Sequence, residues 1–209
     1  MPENIHLSNH PLVIHLVTKL REERYRGAAF RRIVAQLGGL LLTEALAKEE
    51  LRDRKITMWQ GEREFPSLDE SSYVVISILR AAQPMVDGVL ELLPDASAGF
   101  LAMRRDEKTL QPTLYYDRIP PLEGKTAIVC DPMVATGGSL TDALHLVTSK
   151  HPARIFSLHI LSLSEALIKV GGVFPDVNFF VACIDEKLSS QGFILPGLGD
   201  AGDRAYNTL

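Results

Sequence analysis

The residues best suited to chemistry lie in one segment, Thr126-Ala-Ile-Val-Cys-Asp131-Pro-Met-Val-Ala-Thr136-Gly137-Gly138-Ser139-Leu140. An apolar strand-like run ends at a carboxylate and a short loop follows. Thr-Gly-Gly-Ser then opens an amphipathic helix with Leu140, Ala143, Leu144 and Val147 on one side. Glycines allow close backbone approach to an anion, and a helix start presents N–H groups that have no intrahelical acceptor. Thr136 and Ser139 add hydroxyl donors. A helix terminus contributes only about 0.3–2 kcal/mol toward an anion, so phosphate binding needs several such donors together. The competing reading is a capped strand-to-helix turn with Ser139 as the N-cap.

Three other patterns fail on their own requirements. Gly197, Gly199 and Gly202 satisfy G-x-G-x-x-G, but that fingerprint also needs a following helix, another strand and a distant acid, and the chain ends at Leu209. Gly124-Lys125-Thr126 imitates the end of a nucleotide-binding P-loop, yet position 119 is isoleucine and a strand-like run follows. The six histidines show no zinc-ligand spacing with Cys130 and Cys183, and both cysteines sit in apolar runs typical of inert buried thiols.

The elements that must position the loop follow from periodicity. Leu12, Val13, Leu16, Val17 and Leu20 keep a helical period behind Pro11, and a longer helical stretch is predicted from about Ala28 to Leu51. Ile56–Gln60 and Glu62–Phe65 flank Gly61 like a hairpin bearing Trp59, a packing or subunit-contact residue. β-rich runs then alternate with helical patterns: Tyr73–Leu79, Gly99–Met103, Thr126–Cys130, Ile155–Leu161 and Asn178–Ile184 against Pro84–Leu93, Gly138–Lys150 and Ser164–Val170. Continuous apolar strands in such alternation indicate an α/β fold with a mainly parallel twisted sheet flanked by helices. One domain over 1–209 is expected, with a helical N-terminal extension over about 1–52 and a small β-arm. Ligands in such sheets bind at the carboxyl ends of strands.

With 209 residues, 46% of them hydrophobic and 23% charged, the chain has the balance of an ordinary soluble globule. Its net charge of −4 gives no global attraction to nucleic acid or anionic membrane. The opening MPENIHLSNHPL lacks a basic region ahead of an apolar core, and no apolar run is long enough to span a bilayer, so a cytoplasmic protein is expected.

The Asp131–Ser139 segment resembles the phosphoribosyl-diphosphate (PRPP) loop of type I phosphoribosyltransferases. Gly192-Phe-Ile194-Leu-Pro-Gly197-Leu-Gly199-Asp200-Ala201-Gly202-Asp203 resembles the base-binding segment of uracil phosphoribosyltransferases. So do His10-Pro-Leu, Ile78-Leu-Arg80-Ala81, Met85-x-Asp87-Gly88 and Arg105-x-Glu107-x-Thr109-Leu110, which together span nearly the whole chain. The resemblance implies the reaction uracil + PRPP → UMP + diphosphate, through a transition state with oxocarbenium character. It also implies roles: Asp131 on the ribose hydroxyls, and Pro132, Met133, Val134, Ala135, Thr136, Gly137, Gly138 and Ser139 around the 5-phosphate. Arg80 and Arg105 would meet the diphosphate, Ile194, Gly199, Asp200 and Ala201 the uracil, and Asp200 also the bound PRPP. Asp131, Arg105 and Asp200 form the implied catalytic set. Magnesium would be the cofactor, carried on PRPP rather than held by dedicated protein ligands.

The resemblance further implies a homo-oligomer, dimer or larger, and some relatives respond to GTP, for which Arg21, Arg24, Arg26, Arg31 and Arg32 are the candidate cluster. One departure stands out. The family has a glycine-containing turn after the arginine, whereas this chain reads Arg80-Ala81-Ala82-Gln83-Pro84, and alanine takes positive φ only at a cost. Two readings of other classes stay open: a ligand-sensing, RNA-binding regulator and a silent assembly subunit. An enzyme using another base is the alternative within the class.

Overall fold

The computed structural model describes residues 2–105 and 112–208, with only the backbone course for 103–105 and 112–115. In chain order, β1 (Ile5–Leu7) leads to α1 (Pro11–Arg21), α2 (Gly27–Ala45) and the hairpin β2 (Arg52–Met58) and β3 (Gly61–Ser67). Next come β4 (Tyr73–Leu79), α3 (Gln83–Leu92), β5 (Ser97–Arg105), β6 (Pro112–Arg118), β7 (Thr126–Cys130) and β8 (Met133–Val134). The chain continues through α4 (Gly138–Thr148), β9 (Arg154–Leu163), α5 (Ser164–Val173), β10 (Val177–Asp185), β11 (Lys187–Leu188), β12 (Ile194–Leu195) and α6 (Ala201–Tyr206).

The main sheet runs β1-β10-β9-β7-β4-β5-β6, with β8 also on β9. Every pairing is parallel except β5 with β6. Crossing from β4 the chain moves to β5, whereas from β7 it moves the other way, to β9 and β10. β4 and β7 are therefore neighbours at the point where the winding reverses, which opens a crevice beyond their carboxyl ends. Their last pair is Ser77 with Cys130, so Arg80 and Asp131 both lie just past it. Val74, Val75 and Ile76 of β4 and Ala127 to Cys130 of β7 are fully buried, as two-sided strands must be.

The expected helical N-terminal extension is corrected in two places. Ile5–Leu7 form a strand that joins the main sheet beside Phe179–Val181, with the Asn4 amide donating to the Val177 carbonyl at 3.0 Å. A three-residue strand is too short to leave a periodic signature. The second helix ends at Ala45, short of the predicted Leu51. Beyond it Glu49 accepts two bonds from Arg154, each 2.7 Å, and one from the Tyr73 hydroxyl at 2.9 Å, drawing the chain away. Pro11 does open α1, and the imidazole of His10 caps it by accepting the Leu12 N–H at 3.1 Å.

α2 and α3 pack with almost no space between backbones. A Cβ on Gly88 would lie 2.0 Å from the Ala35 carbonyl oxygen, and one on Gly38 would lie 2.5 Å from that of Met85. α3 begins immediately after the Arg80 turn, so this contact fixes the turn from behind. Gly88→Ala is therefore expected to cost about 2 kcal/mol or more through overpacking. At about 2–4 °C per kcal/mol the melting temperature should fall by several degrees, and a shift under about 1 °C would contradict this reading.

Candidate active site

β7 delivers Asp131, and the loop after it holds its shape by local bonds. The Met133 N–H donates to Asp131 Oδ1 at 3.3 Å, and Gly137 O accepts both the N–H and the hydroxyl of Thr141, at 2.9 and 2.8 Å. Gly137, at φ 79°, is the residue before α4, and a Cβ there would meet Val170 Cγ2 at 2.7 Å. Ser139 lies inside the helix rather than at its cap, so the capped-turn alternative fails and the first-turn N–H groups of 138–140 are left facing a small hollow of about 40 Å³. Asp131 and Met133 to Leu140 line it.

Arg80 opens the turn after β4. Its Nη2 donates to Asp203 Oδ1 at 2.7 Å, and Asp203 also accepts the Thr208 hydroxyl. These bonds, Thr208 first, hold the Asp203 carboxyl below the usual range. Asp200 caps α6 by accepting the Asp203 N–H at 2.8 Å. The structure thus brings Arg80, Asp200 and Ala201 to one place. Ala82 is fully buried at φ −77°, and Pro84 falls in the first helical turn where no N–H is required. The expected penalty for a missing glycine does not arise.

Ile194 is buried in β12, opposite Leu188, and the chain then turns through a cis Leu195–Pro196 bond to Gly197 and Gly199, at φ 60° and 78°. A Cβ on Gly197 would lie 2.0 Å from the Ile194 carbonyl oxygen, so only glycine permits this approach. Pro196 to Asp200 line a hollow of about 300 Å³ with Arg21, Glu23, Arg26, Asp203 and Arg204. Arg105 closes β5 at the same edge of the sheet, but its side chain, with Glu107, Thr109 and Leu110, lies outside the described residues.

Four supporting residues were not anticipated. Arg21 forks onto Asp185 at 2.9 and 2.6 Å and donates to Gly197 O at 2.9 Å, while the Gly197 N–H donates to Asp185 at 2.8 Å. Burial would raise the Asp185 carboxyl, but the Arg21 and Gly197 bonds outweigh it and hold it low. Arg204 is buried and donates to the carbonyls of Leu20, Leu198, Glu22 and Tyr25. Fully buried His159 binds the Asp131 carbonyl. Asp185 offered a signal, since it ends an apolar strand as Asp131 does; the others offered none. Cys130 is buried as expected, whereas Cys183 is half-buried and accepts a bond from Arg21 at 3.4 Å.

An acid-ended strand running into a glycine-opened helix, where the crossovers of a parallel sheet diverge, is the arrangement of the type I phosphoribosyltransferases. A hypoxanthine-guanine phosphoribosyltransferase of Bacillus anthracis shares the fold, at 13% identity and a TM-score of 0.50, with 75% of this chain and 79% of that one covered. Higher identities narrow the class. A family model described as uracil phosphoribosyltransferase matches residues 7–208. The uracil phosphoribosyltransferase of Campylobacter jejuni is 40% identical over 208 residues, 99% of this chain and 100% of the relative. A solved structure from Aquifex aeolicus is 37% identical, with a TM-score of 0.94 and 98% of both chains covered. The chain belongs to the uracil phosphoribosyltransferase family, and it is a pentosyl-transferring enzyme.

Asp131 keeps an accessible edge while protein encloses its carboxyl, and burial pushes that carboxyl up to about 7 against the lowering Met133 N–H. A raised folded pKa contributes stability that is full below the unfolded value of about 4 and lost as pH rises through about 7. Asp131→Asn removes that titration. Its stability advantage over wild type should widen between about pH 4 and 7 and then level off. Urea melts across that range check it, and a pH-independent difference would refute it.

Proposed function

We propose that the enzyme makes UMP and diphosphate from uracil and PRPP, as one cytoplasmic domain over residues 1–209. The observation that supports the reading is a pair of hollows beyond the carboxyl ends of parallel strands: one after β7, lined by Asp131 and residues 133–140, and one beside the segment held by Asp185 at the end of β10, lined by residues 196–200. Among the described residues no helix is long and apolar enough to cross a membrane.

In this reading Asp131 takes the ribose hydroxyls, and residues 132–139 take the 5-phosphate with backbone N–H groups and the hydroxyls of Thr136 and Ser139. Arg80 and Arg105 offer guanidinium forks to the diphosphate. Ile194, Gly199, Asp200 and Ala201 face uracil, whose O4, N3–H and O2 read acceptor, donor, acceptor. Fixed backbone dipoles can match that array without a charged side chain. Cytosine would mismatch two of its positions, each costing about 1–3 kcal/mol. N1 of uracil then displaces diphosphate at ribose C1, and the protein's work is positioning and charge stabilisation.

Magnesium fits as a cation carried on PRPP. It takes oxygen ligands, keeps several waters and needs few protein carboxylates. Asp131 is the carboxylate of the loop, and no cluster of three acidic, thiol or imidazole ligands occurs among the described residues. When bound it would neutralise charge on the departing diphosphate.

A homo-oligomer is part of this reading. The β2–β3 arm is exposed along its length, Trp59 at its tip is 88% exposed, and two-stranded hairpins are marginal alone. An apolar groove of about 690 Å³ between α1, α2 and α3, lined by Leu12, Leu16, Leu40 and Leu92, is a second uncovered surface. For a GTP effector the arginine cluster divides: Arg21 is committed to Asp185, Arg24 to Glu22 and Arg31 to the Ala205 carbonyl, while Arg26 and Arg32, each lining a hollow, make no ion pair among the described residues.

The test is product formation from labelled uracil, PRPP and Mg²⁺, with cytosine, hypoxanthine and orotate in parallel, and with and without GTP. UMP from uracil alone is expected, and no product from any base would overturn the reading. Asp131→Asn should lose at least about tenfold in kcat/KM, the scale of one charge-assisted contact. Ala82→Gly should keep wild-type kinetics at a stability cost of about 0.5–1 kcal/mol; a tenfold kinetic loss would contradict the relaxed turn described above.

A further inference from the structure

The geometry points to His159 as the positioning residue that aims Asp131 into the site, a role that rests on the PRPP chemistry proposed above. β7 and β8 both pair with β9 in one unbroken register: Cys130 opposite Leu158, then Met133 opposite Leu161. Asp131 and Pro132 fill the gap, opposite His159 and Ile160. Proline has no N–H, so the backbone ladder cannot run through this point. The loop is instead pinned bond by bond. The Asp131 N–H donates to Leu158 O at 3.2 Å, and Pro132 O accepts the Ile160 and Leu161 N–H groups at 3.1 and 2.9 Å. The remaining group, the Asp131 carbonyl, lies 2.8 Å from Nδ1 of His159.

A carbonyl oxygen only accepts, so Nδ1 must carry the proton. Burial lowers the imidazole pKa to about 4, leaving the ring neutral near pH 7 with Nε2 bare. Nε2 lies 2.9 Å from Ser157 Oγ, whose hydroxyl therefore donates to it. Ser157 and His159 are both fully buried, and Phe179 stacks on the ring with centroids 6.2 Å apart and planes 22° from parallel. Ring plane, tautomer and bond direction are thus set together. The chain runs from the Ser157 hydroxyl through the imidazole to the Asp131 carbonyl, the peptide group that carries the carboxylate. Without the imidazole donor, a part-buried carbonyl loses its partner, and the tilt of the Asp131–Pro132 peptide loses its side-chain restraint.

Three variants and one spectrum test this. His159→Phe keeps the ring but not the donor, and should raise KM and Kd for PRPP at least about tenfold, the scale of one buried acceptor left unmet. KM for uracil should stay within about threefold, since Arg21 and Arg204 hold the base segment independently. His159→Asn sets its amide N–H near the place of Nδ1 and should return PRPP affinity to within about threefold of wild type. A purely structural histidine would lower melting temperature in both variants without this split or rescue. A Phe variant within about twofold of wild type for PRPP, or an Asn variant no better than Phe, would overturn the role. Should His159→Phe fail to fold, Ser157→Ala and the ¹⁵N spectrum of wild-type His159 decide. A weakened PRPP Kd with an Nδ1-protonated ring supports the role, and an Nε2-protonated ring overturns it. PRPP calorimetry separates this from the base assignment: if uracil is not turned over but His159→Phe still loses PRPP, His159 stands and the uracil reading falls.

Discussion

The buried guanidinium of Arg204 is the interaction on which the site depends most. Its four bonds reach carbonyls at Leu20, Glu22 and Tyr25 on the N-terminal side and Leu198 on the C-terminal side. Buried carbonyls at the end of a helix need donors, and Arg204 supplies them at the end of α1. The Phe30 ring lies under the guanidinium, 4.7 Å away. Burial, and Arg26 nearby, disfavour the charge while Glu23 opposes them, and four carbonyl oxygens satisfy the buried donors. One side chain therefore closes the C-terminal segment onto helices that begin almost two hundred residues earlier. The Arg21 fork onto Asp185 and Gly197 repeats the device on the other side of the same segment.

These anchors leave the two halves of the site with separate supports. The anion loop is fixed to β9 by backbone bonds from Asp131 and Pro132 and by the His159 imidazole. The base segment is fixed to α1 and β10 by arginines. Neither set shares a residue with the other, so damage to one half need not loosen the other. Arg80, from the turn after β4, is joined to the base-segment side through Asp203 on α6.

How much of this was legible in the sequence depended on whether the signal was local. β4 and β7 were read to the residue because a two-sided strand is a continuous apolar run with clear ends. The loop at 131–139 was legible because strand, acid, glycines and helix are consecutive. β1, β8, β11 and β12 are two or three residues long and exist only because a partner strand lies beside them. β6 is antiparallel at the sheet edge, and Tyr116, Asp117 and Arg118 are all exposed, so no apolar run marks it. Arg204, Arg21 and His159 act on carbonyls far away in sequence, and no residue near them marks that role. His159 in particular reads as one more apolar-strand position. Only the pairing register shows that it stands opposite the residue before a proline.

The Arg80–Asp203 pair shows how a site can be ready for an anion before one arrives. Arg80 is 54% exposed on its side chain, and such partly solvated pairs are worth about 0–1 kcal/mol. That is enough to keep a long, rotamer-rich side chain turned toward α6 rather than into solvent. It is too little to compete with a diphosphate, whose oxygens offer a guanidinium paired, charge-assisted bonds. In the proposed reaction Arg80 would therefore exchange or share partners at small cost, and the ordering of its side chain would already be complete. Asp131 works in the opposite sense. Its carboxyl is disfavoured as an anion in the free protein, so ribose hydroxyls that donate to it relieve a penalty the fold maintains. The cation is held by a weak partner and the acid is left short of donors, and both conditions favour the bound state over the free one.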